Sequence, residues 1–353
     1  MDSNKQLDSI LRDLEFLGQK ENKKTGFCIG NTRKVSTSGL FFTPIRHTEK
    51  LVAGSVIVYS VTQAEEIVNK IDGKVDYILV DSEKKISSEL YKKDAGNIER
   101  KVREVVKFSK IFTYKGNDLT VNSIDIILEQ LFSDKKRGIG GKKASIIGAG
   151  NIGSKLALRL VERGVDVVMT RRDTAKLNSI VNALNLIKPK ETLANITGTT
   201  DNLAASNGAD ILVALTSGKP VITREIINSL NKSAILMDAG KGCFSPKAIR
   251  LANREKITIY RPDIKIGFEG FTSSLFKTDT VIDSSIGRRL LKGVSVVSGL
   301  LGNLNEIIVD DYTKPQVVYG VADGYGEFIK VLNKSHLRDI TIVTDEIKKR
   351  LKS

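Results

Sequence analysis

The sequence predicts an α/β protein of two domains, the second built on a doubly wound parallel sheet. Three observations predict it. Short apolar runs alternate with helix-period segments along most of the chain, as they do where parallel strands are covered by helices. The alternation breaks at the charged, glycine-rich stretch Asp134–Lys143 and then restarts more regularly. At the restart an apolar strand, Lys143–Ile147, runs straight into Gly148-Ala149-Gly150-Asn151-Ile152-Gly153.

In the first half, residues 3–19 place Leu7, Ile10, Leu11, Leu14 and Leu17 on one helical face. Packing on its own domain is the expected role of that face, with a homodimer contact as the sharper alternative. Val56–Tyr59 reads as a strand. Thr62-Gln63-Ala64-Glu65 has the form of a capping box opening a helix toward Ile71. Tyr77–Val80 and Ile111–Tyr114 read as further strands, and 95–108 and 120–132 as helices. After the break, strands are expected at 144–148, 165–170, 194–198, 209–215, 234–238 and 257–260. Helices are expected near 151–163, 174–186, 201–207, 223–230 and 246–254, the last opened by Ser245-Pro246. Residues 261–320 are glycine-rich and show no clear period. The expected division is 1–135 as a substrate domain and 140–335 as a nucleotide-binding domain with a glycine-rich extension. A final helix within 336–353 is expected to pack back on the first domain.

Composition excludes several classes of function. The 353 residues carry a net charge of +15, which raises the question of nucleic acid. However, the lysines are spread evenly, aromatics make up 6% and tryptophan is absent, so little is available for base stacking. Cys28 and Cys243 are far apart, and only His47 and His336 supply imidazoles, so no metal site is expected. No apolar run is long enough for a bilayer span, and Met-Asp-Ser-Asn-Lys-Gln lacks the form of a secretory signal. A cytoplasmic protein with a small-molecule substrate, and with neither nucleic-acid nor membrane partners, is the expectation.

The glycine segment has the context that gives such a motif meaning: strand before, helical run Ser154–Glu162 after, second strand at Val165–Thr170. In a dinucleotide-binding turn Gly148 permits the bend, Gly150 admits the pyrophosphate to the backbone and Gly153 lets the helix lie close to the sheet. Ala149, Asn151 and Ile152 contribute the amides between them, at the positive end of the helix dipole. The second strand then ends in Thr170-Arg171-Arg172-Asp173, where an NAD site would carry an acidic residue. A guanidinium there clamps a 2′-phosphate, so NADP(H) is the expected cofactor and NAD the less favoured one. Asp173 is expected to cap the following helix. Thr216-Ser217-Gly218 and Asp238-x-Gly240, each at the carboxyl end of an apolar strand, are expected to wall the nicotinamide ribose.

These residues resemble the superfamily of shikimate and quinate dehydrogenases, methylene-tetrahydrofolate dehydrogenases and glutamyl-tRNA reductases. Gly148-Ala149-Gly150 with Thr170-Arg171-Arg172-Asp173-x-x-Lys176 is similar to the shikimate-dehydrogenase pattern, and Ala209–Pro220 with Asp238-x-Gly240 is similar to the folate dehydrogenases. The resemblance implies a Rossmann-type second domain and Lys176 in the cofactor loop. It further implies a catalytic lysine and aspartate in the first domain, for which Lys84 or Lys85 and Asp118 are the positional matches. The Asn-Thr-Asp tripeptide of shikimate dehydrogenases is absent, which leaves polyol specificity unsupported. The function so implied is NADP(H)-dependent oxidation or reduction of a small polar carbonyl, imine or alcohol. The alternative is a nucleotide-binding sensor that has lost the chemistry.

Overall fold

The computed structural model describes residues 3–32, 39–85 and 97–352. Its first sheet is built from β1 (Lys24–Asn31), β2 (Phe41–His47), β3 (Leu51–Val58), β4 (Tyr77–Asp81) and β5 (Lys110–Tyr114). The order is β2-β3-β1-β4-β5, parallel except for β2 at the edge. Among the helices, α1 (Ser3–Glu21), α2 (Val61–Ile71) and α3 (Ile98–Val105) cover this half and α4 (Gly116–Phe132) leads out of it. Leu7 and Leu14 of α1 are buried with Phe27, Ile29, Val56 and Ile78, so the apolar face of α1 serves its own core. Helix α2 is capped two residues before the expected box. Ser60 Oγ accepts from Gln63 N (3.1 Å) and Gln63 Oε1 accepts from Tyr59 N (2.8 Å), a reciprocal cap of the same kind two residues earlier.

The second sheet contains β6 (Lys143–Ile147), β7 (Asp166–Thr170), β8 (Ile196–Thr199), β9 (Ile211–Ala214), β10 (Ile235–Asp238) and β11 (Ile259–Tyr260). All are parallel in the order β11-β10-β9-β6-β7-β8, the doubly wound arrangement with its switch point between β6 and β9. The intervening helices are α5 (Asn151–Glu162), α6 (Thr174–Ile187), α7 (Asn202–Ser206), α8 (Arg224–Ser229) and α9 (Pro246–Arg254). Ser245 caps α9 with Pro246 at its first position, as expected.

Two compact units result, Met1–Phe271 and Thr272–Ser353. The break expected after residue 135 is not where they part. Val121, Ile124, Leu128 and Phe132 of α4, with Ile139 of the glycine-rich stretch, are buried in the core of the second sheet. That stretch is therefore packed and ties both sheets into one unit. The segment 261–320 contains a helix with no visible period, α10 (Lys265–Ser284), whose Gly267 lies against the backbone of Leu119. It also contributes most of a four-stranded sheet, β12 (Gly287–Leu291), β13 (Val294–Ser298), β14 (Ile307–Val309) and β15 (Val318–Val321). The final helix, α11 (Lys334–Lys352), buries Val343 and Ile347 against Val296, Ile307 and Val321 of this sheet. The expectation that it returns to the first domain is corrected, because its apolar stripe is consumed by its own neighbours. Among the described residues no helix is long and apolar enough to cross a membrane, and no cluster of His, Cys, Asp and Glu is arranged to hold a metal.

Candidate dinucleotide and proton-transfer site

The turn after β6 is shaped by two glycines that no other residue can replace. Gly148 has φ +123°, and a Cβ there would sit 2.8 Å from the Leu215 carbonyl oxygen. A Cβ on Gly153 would fall against the Gly148 carbonyl oxygen, deep inside van der Waals contact. Gly150 differs: its φ is −105° and a Cβ would meet nothing within 4 Å. No protein atom accounts for this glycine, so the space it leaves is open to a ligand. Gly150 is also the N-cap of α5 and provides no side-chain cap, leaving the helix's first amides to an outside acceptor.

These residues face a cavity of about 840 Å³ over the carboxyl ends of β6, β7 and β9. Gly148, Ala149, Gly150, Thr170, Arg171, Arg172, Thr216 and Ser217 line it, and so do Lys219 and two residues not singled out in the sequence, Thr200 and Asn202. The two arginines play different parts. Arg171 folds inward and donates from Nη1 to the Ala149 carbonyl (2.6 Å), while its buried Nε has no partner among the described residues. Arg172 is exposed at the rim. Asp173 caps α6 by accepting from Lys176 N (3.0 Å), which settles its role as the sequence expected. Lys176 itself is exposed, 3.7 Å from Asp173, and lies outside the lining.

Asn151, Ile152 and Gly153 form the first turn of α5 rather than the cavity wall. The loops after β9 and β10 lie back to back, each with a left-handed non-glycine residue, Ser217 (φ 55°) and Lys241 (φ 58°). Gly218 abuts Lys241, and Gly240 abuts Thr216 and Cys243. Asp238 is buried and accepts from Gly242 N (2.7 Å), Cys243 N (3.1 Å) and Arg261 Nη2 (3.1 Å). Burial works against its charge, but the backbone amides and Arg261 outweigh it and hold the carboxyl below the usual range. Asp238 and Gly240 thus shape the loop behind the cavity and do not line it.

The first sheet presents a second polar site at the ends of β1, β4 and β5. Lys85 Nζ lies 2.7 Å from both Asp81 Oδ2 and Glu83 Oε2. Asn31 clamps the backbone here, donating to the Asp81 carbonyl (3.4 Å) and accepting from Lys85 N (3.1 Å). Burial pushes the Asp81 carboxyl above its ordinary value in spite of Lys85 beside it. Burial also opposes the ammonium, but its two carboxylates prevail and raise Lys85 above the usual 10.5. The neighbouring Tyr114 phenol is pushed far up by burial, with Cys28 and Asp81 adding to the shift, so it remains a hydroxyl. Lys84 is exposed and outside this cluster.

Helix α4 connects the two sites. Its first amides, Gly116 N and Asn117 N, donate to Asp81 (3.4 Å) and Glu83 (3.1 Å), so carboxylates from β4 cap it. Asn117 Nδ2 reaches Asn151 Oδ1 at the head of α5 (3.2 Å). Asp118, expected ahead of a helix, is the third residue of α4 and is ion-paired with Lys155 of α5. Its carboxylate joins two helices and is not part of the Lys85 cluster. Asp81, Glu83 and Asn117 were missed in the sequence; the one available signal was the alternation of acid and base in Asp81-Ser82-Glu83-Lys84-Lys85.

Residues 143–242 match the family of NADP oxidoreductases described as coenzyme F420-dependent. A stretch of 115 residues is 37% identical to malate dehydrogenases of two strains of Dehalococcoides mccartyi. It takes in 30% of this chain and 36% of the relative, so the chain spans little more than a third of the length of the relatives it matches. Among solved structures, L-tryptophan dehydrogenase of Nostoc punctiforme is 13% identical with a TM-score of 0.42, covering 73% of this chain and 75% of that one. An anabolic ornithine carbamoyltransferase of Campylobacter jejuni scores 0.43 at 12% identity, covering 78% and 96%. Residues 143–242 thus lie in a Rossmann-type sheet and are similar over that span to the NADP oxidoreductase family.

Proposed function

We propose that the protein is an NADP(H)-dependent dehydrogenase or reductase acting on a small polar carbonyl, imine or alcohol. One observation carries the reading: the uncapped start of α5, with Gly150 open on its outer side, faces a cavity that also holds Arg171 and Arg172. Pyrophosphate suits the helix amides, since their dipoles favour an anion and no side chain among the described residues caps them. The exposed guanidinium of Arg172 is free for a 2′-phosphate, and Arg171 offers its unpaired Nε from beneath. A nicotinamide dinucleotide, when bound, gives or takes the hydride.

Lys85 carries the proton in this reading. Held charged by Asp81 and Glu83, its Nζ would donate a proton to the substrate oxygen or nitrogen and recover one from water. In the reverse direction the ammonium would first release a proton to water, and the neutral amine would then accept the substrate's proton. Asn117, bonded to both Glu83 and Asn151, holds the lysine's carboxylate in register with the head of α5. The test is a comparison of NADPH and NADH binding, followed by turnover across a panel of carbonyl substrates. NADPH binding tighter than NADH, with turnover lost on Lys85→Met, is the expected result. Tighter NADH binding would overturn the cofactor assignment, and binding without any turnover would favour a nucleotide sensor.

A further inference from the structure

The large apolar side chains left exposed are unevenly distributed. Of 24 such residues among those described, 14 lie in Thr272–Ser353, which is 82 of the 353 residues. Six of them fall on segments of the second unit that adjoin one another. Leu290 (72% exposed) extends from β12 on the same side as Arg288, whose Nη2 donates to the Leu301 carbonyl (3.2 Å). Leu301 (72%) and Leu304 (62%) sit in the loop after β13, and Gly324 packs directly against Leu304. Tyr325 (91%) follows, and Phe328 covers Gly320 of β15. Leu300 is the sixth.

We infer that this face is the contact through which a second copy of the chain is bound, as a two-fold dimer. Side chains of this size each present roughly 150–250 Å² when fully exposed. At the fractions observed, the six together offer on the order of 700 Å², close to the ~800 Å² that each partner gives to a standard interface. That is also above what most monomers leave exposed in one patch. Charge favours the same partner. Residues 272–353 hold 12 Lys and Arg against 10 Asp and Glu, whereas the whole chain carries +15. Two copies therefore meet with little repulsion through this unit, and an anionic surface would be drawn to the other one. The rim has both signs, Asp323 and Glu327 beside Lys330, which a two-fold axis can set against each other. The inference does not depend on the cofactor reading.

The test is the mass of the full chain in solution, by light scattering and sedimentation over a range of concentrations. Twice 38.7 kDa is expected at micromolar protein. Leu301→Glu with Leu304→Glu is expected to raise the dissociation constant roughly 30-fold or more. Leu193→Glu, in the first unit and 93% exposed, is expected to leave it unchanged. If the double variant does not fold, Tyr325→Ser decides, because a side chain 91% exposed contributes little to the core. A monomer at 50 µM, a dimer untouched by these changes, or a monomer that instead binds phosphatidylserine vesicles would each overturn the inference.

Discussion

The carboxyl ends of β6 and β4 are equivalent places, each the end of a parallel strand with polar groups gathered above it. Yet their chemistry is built from different material. Above β6 the backbone acts: amides of α5 are bared by a turn that only glycine can make. Above β4 side chains act: one lysine is gripped by two carboxylates and its register is fixed by an asparagine. Backbone chemistry imposes a spacing on the sequence, whereas side-chain chemistry leaves residues that any solvated turn also carries.

Substitutions distinguish the two kinds of site. The largest effect is expected at Lys85→Met, with turnover falling by about 10²- to 10⁴-fold while NADPH affinity stays within twofold, as steady-state kinetics and fluorescence titration would show. Lys84→Met is the control and is expected to leave turnover within twofold, since that lysine is exposed. Equal losses at both positions would dissolve the distinction between them. Gly153→Ala drives a methyl group into the Gly148 carbonyl. It is expected to cost about 2–3 kcal/mol of stability in denaturant titrations and to abolish dinucleotide binding.

Smaller effects separate the arginines. Arg172→Ala is expected to weaken NADPH by about 10-fold and leave NADH unchanged, the cost of one charge-assisted contact. Arg171→Ala is expected to weaken both cofactors, because that side chain also holds the Ala149 carbonyl of the turn. The smallest effect concerns pH. Lys85 binds its proton more tightly in the folded chain than in the unfolded one, so its contribution to stability is complete below pH 10.5 and is lost as pH rises beyond that. Wild type and Lys85→Met should therefore converge in stability only in strong alkali. Convergence near neutrality would mean that the carboxylates do not hold the charge.

Legibility in the sequence followed the same division. The doubly wound sheet and the glycine turn were readable because a buried parallel strand must be apolar and a close-approach turn must be glycine, as at Gly148 and Gly153. The inward fold of Arg171 was not readable, because it depends on the Ala149 carbonyl, which the chain brings within reach only once β6 and β7 pair. Asp118 was misplaced for a related reason: its partner Lys155 is 37 residues away on another helix. Helix α10 showed no period because Gly267 and Gly270 interrupt its apolar pattern, Gly267 where it lies against α4. The role of α11 was misread because its buried stripe, Val343 and Ile347, specifies an apolar neighbour without specifying which one.

The most direct measurement is calorimetric titration of NADPH and NADH into wild type and Gly150→Ala, with thermal unfolding of both proteins alongside. A Cβ at Gly150 meets no protein atom and its φ of −105° suits alanine, so unfolding is expected to be unchanged. Affinity for both dinucleotides is expected to fall by about 10- to 100-fold, because the methyl group occupies the approach of the pyrophosphate. If neither dinucleotide gives heat with wild type, or if Gly150→Ala binds NADPH as well as wild type does, the amides of α5 do not hold a pyrophosphate.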